Sequence, residues 1–323
     1  MVTRTNSGRP LVTIAIPTYN RAATFLAPCL ESALHQTYRN IEVIVSDNGS
    51  TDATPALIQH YRDPRLRYFR QTANIVPNDN FNFCLREAHG DYFLLLLDDE
   101  LIDPDFVESC LYAAGFRADV GLIRSGVRTI NRKGTLITEA FNGAGGSSLA
   151  DFYLAWFAGK TAVYLCNTLF HRSALVSAGG FASRHNLFQD VMAQVKVASQ
   201  MPRIDVADVK ATTRQHGGQY THAATVRAWC EDALDLLDLM CWTVPAEHRT
   251  VRKRGLRFFA TIGYSRANAI RSPIARLKAY ADVYRLFGCR YAPPARLLLR
   301  GTAAYRSLRQ VKRRILHLPA WVD

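Results

Sequence analysis

His89–Phe106, HGDYFLLLLDDELIDPDF, is the stretch on which the fold of this chain turns. Gly90 and Asp91 lead into six apolar or aromatic residues, Tyr92 to Leu97, and three acids follow at once: Asp98, Asp99 and Glu100. An uninterrupted apolar run between polar flanks fits a strand buried on both faces of a parallel sheet. Acids at its carboxyl end stand where open α/β sheets receive ligands. Adjacent carboxylates repel one another, and burial sharpens the repulsion. A divalent cation that takes oxygen ligands, Mg²⁺ or Mn²⁺, relieves it. The same residues also read as a solvated acidic turn running into a helix, with Asp103-Pro104-Asp105 as cap and first turn.

Upstream, Leu11 to Ile16 (LVTIAI) has strand propensity and stops at Pro17-Thr18-Tyr19-Asn20. Arg21 to Gln36 follows as a helix, with Leu26, Leu30, Ala33 and Leu34 on one face. Ile41 to Val45 is the next strand, and it runs into a polar turn, Ser46 to Asp52, that caps a helix from about Ala53. Leu66 to Phe69 is a short strand and Asn80 to His89 a short helix before the opening run. Strands alternating with helices, each strand followed by a polar loop, describe βαβ units. Neither GxGxxG in the first loop nor GxxxxGK[ST] anywhere is present, so the dinucleotide fingerprint and the P-loop are both unsupported. Instead the second loop carries Asp47, an acceptor for a base or ribose, about fifty residues before acids able to hold a diphosphate's metal. That pairing suggests a nucleotide-diphosphate ligand.

The run VTIAIPTYNRAATFLAPCLESALHQTYRNIEVIVSDNGSTDAT, continuing through Asn74, Asn80 to Ala88 and GDYFLLLLDDELIDPDF, closely resembles the N-terminal signature of family-2 glycosyltransferases. These are inverting, nucleotide-sugar-dependent enzymes of GT-A fold. The resemblance covers roughly residues 11 to 110, in several separated signatures. It implies an α/β, Rossmann-like chain with a mostly parallel central sheet, followed by a basic, mainly helical C-terminal extension. It divides the chain into a catalytic part, 1–224, and a helical part, 225–323; the donor half is about 11–110 and the acceptor half about 111–224. It implies that Asp47 binds the base, that Pro17, Thr18 and Tyr19 lie against the nucleoside, and that Arg21 and Asn74 help hold the donor. The acidic cluster corresponds to the family's DxD motif, here in the departing form DDE. Asp99 or Glu100 is then the direct ligand of Mn²⁺ or Mg²⁺, with Asp98 toward the donor ribose or sugar.

In the second half, Val120 to Ile130 is a strand and Asn131 to Gly134 a turn. Phe141 to Ser148 is a Gly-rich loop, either bordering an acceptor site or simply linking elements. Asp151 to Gly159 is a short helix. From Cys166 the chain resembles the family's acceptor side, with a strand, a helix, a GGF turn and an acid pair opening a helix. Here that pair is Gln189-Asp190, which makes Asp190 the candidate general base; its other reading is a helix cap. His216 corresponds to a position near the diphosphate or metal, as a third ligand or phosphate contact, and reads equally as a surface histidine.

The formal charge of +13 is unevenly spread: from Arg249 to Asp323, 18 Lys or Arg face two Asp, more than the excess of the whole chain. Helical pieces broken at Ser272-Pro273 and Pro293-Pro294, the last about Gly301 to Leu318, suggest basic amphipathic helices on an anionic membrane surface, or helices packed on the body with only their charges exposed. No RRM, KH or zinc-finger feature accompanies this charge, so nucleic acid is not an expected partner. There is no twenty-residue apolar span and no secretory h-region in MVTRTNSGRP. The seven cysteines are scattered without a CxxC pair, as in a reduced, cytoplasmic protein, here peripheral on the inner face of the cytoplasmic membrane. The expected activity is metal-assisted transfer of a sugar from a UDP-, dTDP- or GDP-sugar to a glycan or lipid-linked saccharide. The alternatives are a nucleotidyltransferase-like metal enzyme, or a non-catalytic nucleic-acid- or membrane-binding protein driven by the basic region.

Overall fold

A computed structural model describes residues 9–144, 146, 148–216 and 224–293. The expected helix at 301–318 lies outside the described residues. The first four long strands are β1 (Val12–Thr18), β2 (Ile41–Asp47), β3 (Leu66–Arg70) and β4 (Tyr92–Leu95). They pair in parallel in the order β3-β2-β1-β4. Between them lie α1 (Leu26–Leu34), α2 (Thr54–Gln59) and α3 (Pro77–Glu87). After β4 come β5 (Leu101–Ile102), α4 (Phe106–Ala113), β6 (Leu122–Asn131), β7 (Leu136–Ala140), α5 (Leu149–Phe157), β8 (Thr168–His171), α6 (Arg172–Ser177), α7 (Gln189–Ala198) and β9 (Arg203–Gln215). These extend the sheet to nine strands, ordered β3-β2-β1-β4-β8-β6-β9-β5 with β7 on β6. Parallel pairing dominates the N-terminal half. The second half is mixed: β4–β8, β6–β8, β6–β7 and β5–β9 are antiparallel, and β6–β9 is parallel.

The apolar strands are continuous because they feed two cores at once. Val12, Ile14 and Ile16, with Tyr92, Leu94 and Leu96, face α1 and α4. Ala15 and Ile44, with Phe93 and Leu95, face α3, α6 and α7 on the other side. Each such fully buried side chain contributes about 1.5–3 kcal/mol. Two consecutive charged residues inside the run would place one charge in a core whichever way the strand lay.

The remaining helices, α8 (Val226–Thr243), α9 (His248–Asn268) and α10 (Pro273–Leu286), pack against one another. Their core is shared with the sheet layer: Leu236, Leu237, Met240, Val251 and Phe259 meet Phe152 and Tyr153 of α5 and Val191, Met192 and Val195 of α7. All seven cysteines are free thiols, six of them buried. No helix among the described residues is long and apolar enough to cross a membrane.

Candidate active site

Three loops follow the carboxyl ends of β1, β2 and β4, and hydrogen bonds tie the first of them to each of the other two. Asn20, in the left-handed region at φ 54°, accepts from the backbone N–H of Thr51 and of Asp52, and its own N–H donates to Ser50 Oγ. Thr18 Oγ1 donates to Asp98 Oδ2 at 2.8 Å, and Arg21 Nε stands 3.6 Å from Asp98 Oδ1. The loop after β1 is thereby tied to the turn after β2 on one side and to the acidic turn on the other.

Asp47 ends β2 fully buried. Its Oδ1 accepts from the Ser50 N–H at 2.8 Å, and its Oδ2 accepts from the Tyr68 hydroxyl at 2.7 Å with Arg70 Nε 3.8 Å away. Gly49 follows at φ +74°, and a Cβ there would come within 2.8 Å of the Ala73 carbonyl carbon. The next segment is held close by Asn48, whose Nδ2 donates to Asn74 Oδ1 and to the Ile75 carbonyl and whose Oδ1 accepts from the Ile75 N–H. Asn74 itself is exposed at the rim, as is Tyr19, while Pro17 is buried within β1.

The acids after β4 have separate environments. Burial pushes Asp98 up to about 7, with the Thr18 hydroxyl and Arg21 opposing and the Asp99 carboxylate adding to the rise. Asp99 Oδ2 lies 2.7 Å from His216 Nε2, and its carbonyl accepts from Arg214 Nε. Phe25 braces this pair, its ring 5.1 Å from that of His216 and 4.7 Å from the Arg214 guanidinium. Glu100 is only 4% exposed and turns back on its own loop, where Oε2 accepts from the Leu97 N–H at 3.1 Å. Burial, then Asp99, push Glu100 up to about 8.

A divalent cation suits this donor set in one particular way. Asp99 and His216 present a carboxylate oxygen and an imidazole nitrogen side by side. Among the described residues no group of three or more His, Cys, Asp or Glu side chains could hold a metal. Mg²⁺ and its relatives are commonly held by one or two protein ligands, with substrate phosphates and water completing the shell. The pair fits that mode, while Glu100 is engaged by the Leu97 N–H of its own loop.

Asp190 lies in the first turn of α7, where the helix field favours a carboxylate. Burial nevertheless pushes it up to about 6, its own and the Val191 backbone N–H opposing. Gln189, which replaces the first acid of the expected pair, keeps a buried Oε1 without a partner among the described residues. Burial raises the Tyr164 hydroxyl, and Cys166, Glu100 and Asp190 add to the rise. The structure thus joins Thr18, Arg21 and Asp98 in one contact set, Asp99 and His216 in a second, and Asp47 with its loop in a third.

Sequence reasoning missed Tyr68, Tyr164 and Phe25. Tyr68 had a signal, since it shares a strand face with Arg70, which is in register with Asp47. Tyr164 and Phe25 had none, because loop aromatics carry no periodicity.

Residues 13–175, just over half of the chain, match the family model described as Glycosyl transferase family 2. The chain belongs to this family. Among family-2 relatives, the chondroitin synthase of Escherichia coli is 39% identical over 137 residues, covering 41% of this chain and 19% of that protein. The GalNAc(5)-diNAcBac-PP-undecaprenol beta-1,3-glucosyltransferase of Campylobacter jejuni is 32% identical over 160 residues, 47% of this chain and 50% of that protein. The matches therefore span half or less of these relatives. Residues 1–349 of S. aureus TarS, solved with UDP-GlcNAc, align with a TM-score of 0.62 at 14% identity, over 94% of this chain and 91% of that one. The mannosyltransferase PcManGT of Pyrobaculum calidifontis, solved with GDP-Man and Mn²⁺, aligns with a TM-score of 0.56 at 19% identity, over 95% and 85%. At these identities the likeness establishes the GT-A fold.

Proposed function

We propose that the chain is an inverting, metal-assisted glycosyltransferase that moves a sugar from a nucleotide-diphosphate donor to a hydroxyl of a glycan or lipid-linked saccharide. The observation that carries this reading is the Asp99–His216 pair, poised at the carboxyl end of β4 beside the Thr18–Asp98 contact. Support for the acceptor class comes from relatives that are chondroitin and undecaprenol-linked glycan enzymes.

Asp47 and the Pro17–Tyr19 loop hold the nucleoside, with Arg21 and Asn74 flanking the donor. Asp98, positioned by Thr18, faces the donor's ribose or sugar. Asp99 and His216 would hold Mn²⁺ or Mg²⁺, which would supply neutralisation of the charge developing on the departing diphosphate. Asp190 accepts the proton of the acceptor hydroxyl as that oxygen bonds to the anomeric carbon. The bond from sugar to diphosphate breaks on the opposite face, which inverts the configuration. Glu100, buried against Leu97, supports the turn and is not a ligand. Asp190→Asn should abolish transfer and keep nucleotide affinity; full activity in that variant would remove Asp190 as the base.

Membrane attachment through the helical part belongs to the same proposal. α10 exposes Ile274 at 71% and Leu277 at 66%, among Arg271, Lys278 and Arg285, a combination suited to an anionic bilayer surface.

A further inference from the structure

α8, α9 and α10 enclose an open cavity of about 940 Å³, away from the three loops of the candidate active site. Its walls are largely apolar, with Val226, Ile262, Ile270 and Ala275 among them. Two cations, Arg266 and Lys278, also line it, and neither has a carboxylate within ion-pair distance among the described residues. A third, Arg227, is already engaged by Glu231 at 2.8 Å. Asp282 is the one acid on the wall, so the free charge of the lining is positive.

Arg266 is the unusual member. Its guanidinium stacks 3.3 Å from the centroid of the Trp229 ring, and burial pulls its pKa down to about 10. Arg266 Nε and Trp229 Nε1 are both buried without a hydrogen-bond partner among the described residues. Unmet buried donors of this kind are costly to the folded chain. A guanidinium stacked on an aromatic face is pre-organised for an oxyanion, because its plane and its remaining donors are already fixed.

We propose that this cavity binds an anionic amphiphile, its phosphate on Arg266 with Lys278 assisting and its hydrocarbon body along Val226, Ile262 and Ile270. The volume suits a chain-bearing molecule, and the charge suits a single phosphate. Trp229 also packs edge-on against Phe188, 5.3 Å between centroids, and Phe188 immediately precedes the helix that carries Asp190. The ligand therefore sits behind the wall of the candidate acceptor side, although its binding does not depend on any assignment there.

Calorimetry on the full chain tests this with three probes: dodecyl phosphate below its micellar concentration, dodecyl maltoside and inorganic phosphate. Dodecyl phosphate is expected to bind once per chain and far more tightly than the other two. Arg266→Met should weaken it about tenfold or more, as expected for loss of a charge-assisted contact. Ala275→Trp, at an exposed wall position, should block binding while Arg266 stays in place. It should still unfold cooperatively, so it carries the test if Arg266→Met does not fold. Equal binding of the neutral amphiphile, equal binding of bare phosphate, or undiminished binding in Ala275→Trp would each overturn the proposal.

Discussion

His216 Nε2 lies 2.7 Å from Asp99 Oδ2, joining the residue just after β9 to the turn just after β4. The two are 117 residues apart in sequence, and the sheet brings them together because β9 pairs with β5, Leu101 opposite Thr212. Both side chains are largely buried, at 5% and 11% exposure.

Asp190 should govern the acid limb of activity. Its carboxyl is raised to about 6, so as pH falls through 6 it takes up a proton and can no longer receive one from the acceptor. kcat/KM should fall about tenfold per unit below that point. The stability sign is opposite. A folded pKa above the unfolded value favours the folded state at low pH, and that contribution is lost as pH rises through 6. Asp190→Asn should therefore be no less stable than wild type at pH 8, measured by thermal melting, even though transfer is lost.

Asp47 should matter twice. Its removal strands the Tyr68 hydroxyl and the Ser50 N–H, so Asp47→Ala is expected to cost about 1–3 kcal/mol in urea unfolding. Asp47→Asn should weaken nucleotide binding about tenfold or more. Tyr68→Phe, which leaves the carboxylate in place and removes only one of its hydrogen-bond donors, should weaken affinity less than Asp47→Asn does.

Gly90 opens the run that decides the fold, and it has no room for a side chain. A Cβ there would stand 2.5 Å from the Tyr92 carbonyl oxygen and 2.6 Å from the Thr13 nitrogen. Both are backbone atoms of paired strands, so Gly90→Ala should cost about 1–3 kcal/mol, the usual penalty of overpacking. A lower urea midpoint at unchanged m-value would report it.

Association with anionic vesicles should be salt-sensitive and should depend on Ile274 and Leu277. Replacing both with Asp removes about 1.5–3 kcal/mol of apolar burial for each inserted side chain, so co-sedimentation at low salt should fall at least tenfold. Binding that is insensitive to salt would contradict an electrostatic contribution.

The first hundred residues were legible because strands buried on both faces leave unbroken apolar runs. β1, β2 and β4 begin within a residue of where LVTIAI, IEVIV and YFLLLL predict. Pro17 did not end β1, which continues to Thr18. Pairing with β4 stops at Ala15 opposite Leu95, so from there β1 has one partner and a missing N–H is tolerated. The helix expected from Arg21 begins at Leu26, because the Asn20 N–H is held by Ser50 of the β2 loop and the Arg21 N–H by Thr54 at the start of α2. β9 was not legible: its exposed residues 207 and 208 and half-buried start interrupt any alternation, although it carries the chain to His216. The acids could be named from sequence, but not their orientation. Glu100 faces inward because Leu97 offers it a backbone N–H, which no motif spacing encodes.

The most direct test of the central claim is nucleotide binding, titrated across UDP, dTDP and GDP with and without Mn²⁺, in wild type and in Asp99→Asn and His216→Ala. One nucleotide should bind best, Mn²⁺ should tighten it, and each substitution should remove most of that gain, about 10–100-fold by comparison with other metal-site changes. Affinity that ignores Mn²⁺ in the wild type, or a metal response that survives both substitutions, would contradict the site assigned to Asp99 and His216.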